Sequence, residues 1–116
     1  TQTALAFGDG DAAVLHPRGS EKGIAVAIDG NARWVEHDPF VGGLLAVCEA
    51  ARNVACVGAT PVAATDGLNW GSPKDPEVFW SFERCVDGLA AAAEALATPV
   101  LSGNVSFYNE SELGAI

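Results

Sequence analysis

Apolar residues recur at helical spacing in two long stretches of this chain. Leu44, Val47, Cys48, Ala51 and Val54 form one stripe; Val78, Phe79, Phe82, Cys85, Val86, Leu89, Ala93 and Leu96 form the other. Each stripe follows an Asp-Pro pair, Asp38-Pro39 and Asp75-Pro76. An aspartate at this place accepts hydrogen bonds from free N–H groups of the first turn. Proline at the first helical position lacks only an N–H that has no partner inside the helix. The pattern predicts two helices, the first closing near Gly58.

Shorter apolar runs predict strands over Ala12–His16, Gly23–Ile28, Arg33–Glu36, Pro61–Thr65 and Pro99–Leu101. Asp29-Gly30-Asn31 sits between two of them as a hairpin signal. The predicted architecture is α+β: a mixed sheet of four to five strands with both helices on one face. The other sheet face then needs a cover, which a partner domain would supply.

The remaining composition narrows the function. A chain of 116 residues predicts one compact domain. A formal net charge of -9 argues against nucleic acid or an anionic membrane surface as partner. Three cysteines without a CxxC pair argue against a disulfide framework or a zinc site and suit a reducing cytosol. No run of about 18 apolar residues predicts a membrane span, and the start Thr1–Phe7 lacks the basic segment of a signal peptide. The absence of methionine and the ending Gly-Ala-Ile suggest a piece of a longer protein.

Two predicted loops carry candidate chemistry: Thr65-Asp66-Gly67-Leu68-Asn69-Trp70-Gly71 and Ser102-Gly103-Asn104-Val105-Ser106-Phe107-Tyr108-Asn109-Glu110. If their strands are neighbours, both loops open at the same sheet end. Glycine lets backbone N–H groups approach a phosphate, and Asp66, Asn104 and Glu110 carry oxygens suited to Mg²⁺. Ser106 offers a hydroxyl to a substrate phosphate. The same residue types also simply make turns. Gly8-Asp9-Gly10-Asp11 divides the same way between a metal loop and a turn. His16 and His37 read as surface residues, Trp34, Trp70 and Trp80 as core or interface, and Arg52 as a helix-surface ion-pair partner or a phosphate contact.

Five motifs in order carry a resemblance to a known family. They are Asp38-Pro39-Phe40-Val41-Gly42-Gly43, Glu49-Ala50-Ala51-Arg52-Asn53-Val54-Ala55-Cys56, Gly58-Ala59-Thr60-Pro61, Thr65 through Pro73, and Ser102 through Glu110. From about Gly8 onward the chain resembles phosphoribosylformylglycinamidine synthase, the purine-pathway amidotransferase. The resemblance is to the domain in the second half of its large synthetase subunit that is similar to the N-terminal domain of aminoimidazole ribonucleotide synthetase.

That resemblance implies a domain whose sheet pairs with a related domain into a barrel-like core. It implies a share in converting formylglycinamide ribonucleotide, ATP and glutamine-derived ammonia into the amidine, ADP and phosphate. It implies ATP contacts at Asp66 and Gly103, a Mg²⁺ ligand at Asn104 and a substrate contact at Ser106. The implied partners are the rest of the synthetase chain and a glutaminase subunit or domain, in the cytoplasm. Gly67 and Trp70 depart from the Cys and Phe often expected there. The family's catalytic histidines lie in the other half, so neither His16 nor His37 inherits a role, and the isolated piece is expected to be inactive and to self-associate. The alternatives are another enzyme of the superfamily, such as aminoimidazole ribonucleotide synthetase, selenophosphate synthetase or a thiamine-monophosphate kinase, and a non-catalytic pairing module.

Overall fold

The computed structural model describes residues 2–5 and 8–115; parts of the Thr1–Phe7 start and the final Ile116 lie outside it. Three short strands come first: β1 (Thr3–Leu5), β2 (Ala13–Leu15) and β3 (Ile24–Val26). They form an antiparallel sheet in the order β1-β2-β3. Two helices follow, α1 (Ala32–His37) and α2 (Pro39–Cys56), then β4 (Ala64–Asn69), α3 (Pro76–Ala95) and β5 (Val100–Ser106). Two small strands end the chain, β6 (Glu110–Ser111) and β7 (Gly114–Ala115).

Both long helices start where the Asp-Pro pairs place them. The Val41 N–H donates to Asp38 Oδ1 at 3.0 Å, and the Glu77 N–H to Asp75 Oδ1 at 2.9 Å. Their ends are alike. After α2, the Ala59 N–H reaches the Val54 carbonyl at 3.2 Å and the Gly58 N–H reaches Ala55 at 2.9 Å, with Gly58 at φ 82°. After α3, Thr98 bonds Ala93 at 2.9 Å and Ala97 bonds Glu94 at 3.1 Å. This is the paired closure that needs one left-handed residue, and at α3 that residue is Ala97, at φ 52°.

The two long helices pack through backbone. A Cβ on Gly88 would overlap the Phe40 carbonyl oxygen, and one on Gly43 would overlap that of Cys85. Arg84 lies over the Phe40 ring, 4.8 Å from its centroid, beside this contact.

The α+β class and the two-helix layer are observed; the strands differ from expectation, since β1, β6 and β7 have no counterpart among the expected strands and β4 starts at Ala64 rather than Pro61. Among the described residues the strands form three small sheets rather than one of four to five strands. Arg33–Glu36 is helical, within α1, because Asn31 caps it by accepting the Arg33 N–H at 3.1 Å. Glycine at position 42 lets the α1 backbone at Val35 settle directly on α2. Finally, β4 and β5 continue through residues expected to be loop, as far as Asn69 and Ser106.

The shape is open. The radius of gyration is 16.1 Å, against about 13 Å for a compact domain of this length. Among the described residues the buried apolar side chains are few: Ala12, Pro39, Cys85, Ala92 and Ala93. Ile28, Val62 and Leu101 are 94%, 75% and 71% exposed.

Candidate functional site

Strands β4 and β5 run parallel, with Thr65 opposite Ser102, Asp66 opposite Gly103, Gly67 opposite Asn104, Leu68 opposite Val105 and Asn69 opposite Ser106. Side chains alternate faces along a strand, and in-register partners share a face. Trp70 and Phe107 identify the inner face, because both rings meet Phe82 of α3 edge-on, at centroid distances of 5.5 and 5.2 Å. Asp66, Leu68, Gly103 and Val105 have the same parity and lie on that side.

The outer face then carries Thr65, Gly67, Asn69, Ser102, Asn104 and Ser106. None of the six is charged, in a chain of net charge -9. A Cβ placed on Gly67 would find one neighbour within 4 Å, Asn104 Oδ1 at 3.9 Å. Gly67 is thus an open notch beside the Asn104 amide. The Asn69 amide donates back to the Gly67 carbonyl at a long 3.4 Å.

The residues expected to form one site fall into two pairs. On the inner face the Asp66 carboxylate occupies the space that a Gly103 Cβ would take. Asn104 and Ser106 are together on the outer face, two positions apart on β5. The thickness of the strand ribbon separates the pairs.

The turns after both strands are tied together. Trp70 N–H donates to the Ser106 carbonyl at 2.9 Å, Asn109 N–H to Trp70 at 2.9 Å, and Tyr108 N–H to Gly71 at 3.0 Å. Asn109 Nδ2 donates to the carbonyls of Trp70 and Ser106 at 3.1 and 2.8 Å. Glu110 Oε1 accepts the Ser72 N–H at 2.6 Å. Glu110 therefore serves as a clamp between the turns rather than as a free carboxylate.

Other candidates separate from these strands. Arg52 pairs with Glu49 one turn away on α2, and that carboxylate raises the guanidinium pKa further. His16 and His37 are exposed, as are Asp9 and Asp11. Sequence reasoning missed Thr65, Asn69 and Ser102 as outer-face residues, and Asn109 as a bridge. Strict alternation around Asn104 was the available signal.

The donor set tests the expected ligands. Among the described residues no three His, Cys, Asp or Glu side chains converge as a metal site. Asn104 offers one amide oxygen beside hydroxyls. That suits an ion whose other ligands are water and phosphate, not one held by this chain alone. The half-buried Asp66 carboxylate accepts hydrogen bonds only. It fits an amine or hydroxyl donor and would repel a phosphate.

Comparison with known proteins follows the same lines. Residues 9–115 match the family described as AIR synthase related protein, N-terminal domain. The chain belongs to this family. It is 58% identical over 107 residues to the phosphoribosylformylglycinamidine synthase subunit PurL of Moorella thermoacetica, covering 92% of this chain and 15% of that protein. Its fold matches PurL of Thermotoga maritima in complex with ATP at a TM-score of 0.88 and 33% identity, over 100% of this chain and 19% of that one. The same protein complexed with FGAR gives a TM-score of 0.87, with 33% identity and the same coverage of both chains. The resemblance seen in the ordered motifs therefore holds, and this family's domain fold is the one observed. The chain spans less than a fifth of these relatives.

Proposed function

We propose that this chain is a single AIR-synthetase-like domain of a longer multidomain synthetase, from the second half of its large subunit. The whole protein is an ATP-dependent ligase of purine biosynthesis. It converts formylglycinamide ribonucleotide and glutamine-derived ammonia to the amidine, with ADP and phosphate as products. The observation that carries this reading is the 58% identity over 107 residues to a PurL subunit. Solved PurL structures complexed with ATP and with FGAR support the ligand classes.

Within that reading this chain supplies walls. Asp66, with Gly103 beneath it, takes an amine or hydroxyl of the nucleotide. Ser106 contacts the ribonucleotide substrate. On the side of the ribbon opposite Asp66, Asn104 contributes an amide oxygen to a Mg²⁺ that takes its remaining ligands from water, phosphate and other parts of the protein. A glutaminase partner supplies ammonia, and a related domain covers the exposed apolar sheet surface. Free Cys48, Cys56 and Cys85 agree with a cytoplasmic setting, and no described helix is long and apolar enough to cross a membrane.

The test is Asn104→Ala in the full-length protein, assayed for ATP-dependent amidine formation. A loss of turnover of about a hundredfold or more is expected if a positioned ligand group is removed. Unchanged turnover overturns the site assignment.

A further inference from the structure

We infer that Thr65, Gly67 and Ser102 complete one phosphate-binding surface with Asn104 and Ser106, and that Gly67 sets how close the phosphate can come. This rests on the reading of Asn104 and Ser106 given above and extends it to three residues on the same side.

Register is the first argument. Thr65 is opposite Ser102, and Gly67 opposite Asn104, so the four positions make a two-by-two patch continued by Asn69 and Ser106. Thr65, Ser102 and Ser106 carry hydroxyls able to donate on this face, and the Asn104 amide carries an NH2 donor as well as the Oδ1 that lies beside the Gly67 notch. Thr65, Ser102 and Asn104 are exposed.

Charge is the second argument. The chain holds 15 acidic residues against 6 Lys and Arg, yet this face has none of the 15. The nearest carboxylate in sequence, Asp66, lies across Gly103 on the opposite side. A carboxylate in the patch would repel a phosphate; uncharged donors bind it without that repulsion.

Shape is the third. With only Asn104 Oδ1 near the Gly67 Cβ position, at 3.9 Å, a ligand atom can reach the strand backbone there. A Cβ there meets only an ordinary van der Waals contact with Asn104, so a larger side chain would occupy the notch without a backbone clash at its base. Valine also favours a strand, so Gly67→Val removes the notch while the protein stays folded.

The phosphate belongs either to the ribonucleotide substrate or to ATP. The experiment is steady-state kinetics on the full-length protein, with ammonia in place of glutamine, varying each substrate in turn. Gly67→Val, Thr65→Val and Ser102→Ala are compared with Thr65→Ser. Gly67→Val is expected to raise the KM of one phosphorylated substrate more than tenfold, with kcat within about threefold and unchanged melting temperature. Thr65→Val and Ser102→Ala follow by smaller factors, and Thr65→Ser restores the value. The substrate whose KM moves identifies the source of the phosphate. If Asn104→Ala impairs turnover while Gly67→Val, Thr65→Val and Ser102→Ala leave both KM values unchanged, this inference is wrong and the reading of the site stands. If Asn104→Ala is also silent, both fall.

Discussion

The Ser72 N–H donates to the Glu110 carboxylate at 2.6 Å, joining positions 38 residues apart. This bond closes the turn after β4 onto the start of β6. A charge-assisted bond at an exposed site is worth about 1 kcal/mol. Glu110→Ala is expected to lower stability by that amount, and Glu110→Gln by less, in chemical denaturation.

Asn109 makes the stronger tie, with two side-chain bonds at a half-buried position. Asn109→Ala removes both and should cost about 1–2 kcal/mol. Asn109→Asp keeps the size but sets carboxylate oxygens against the Trp70 and Ser106 carbonyls. It should therefore be less stable than the alanine variant at neutral pH. The reverse order would show that the amide is not the bridge.

Ala97 holds a left-handed conformation at the close of α3. The strain on an L-residue there is about 1–2 kcal/mol. Glycine relieves it, while the freer unfolded chain takes back about 0.4–1 kcal/mol. Ala97→Gly should raise stability by about 0.5–1 kcal/mol, seen as a higher melting temperature. Gly88→Ala should do the opposite. Its Cβ meets backbone of α2 that cannot move aside, so a loss of about 2–3 kcal/mol is expected.

The cysteines differ in environment. Cys56 is exposed, whereas Cys85 is buried and its thiol pKa is raised by desolvation. A thiol reagent should modify Cys56 at once and Cys85 only on unfolding. Because the folded state favours the neutral Cys85 thiol, its contribution to stability is complete below the ordinary thiol pKa of about 8.5. It declines as pH rises through the raised value. A Cys85→Ala variant should lose that part of the alkaline dependence.

Exposed Ile28, Val62 and Leu101 have a further consequence. Large apolar patches without cover drive association. The isolated chain should sediment as dimers or larger species at micromolar concentration. A clean monomer would count against a partner domain on these surfaces.

The helices were legible because their signals are local: Asp38-Pro39 and Asp75-Pro76 start them, and regular stripes carry them on. The strands of the site were not. Gly67, Asn69, Ser102 and Asn104 are turn-forming residue types, yet they lie within β4 and β5 because that face is open and needs no apolar side chain. Arg33–Glu36 has strand-like residues, but the Asn31 cap and the bare Gly42 surface favour a helix. The Asp66–Gly103 contact depends on register between segments that meet only after folding, so no local pattern announces it.

Gly103 and Asn104 are consecutive, yet they belong to different sides of one thin wall. What distinguishes those sides is parity alone. Deleting a single residue from the start of β5 would exchange them, bringing Asn104 against Asp66 and turning Gly103 outward. The division of labour on this strand is thus a counting property of the chain, and indels here should be far less tolerable than substitutions.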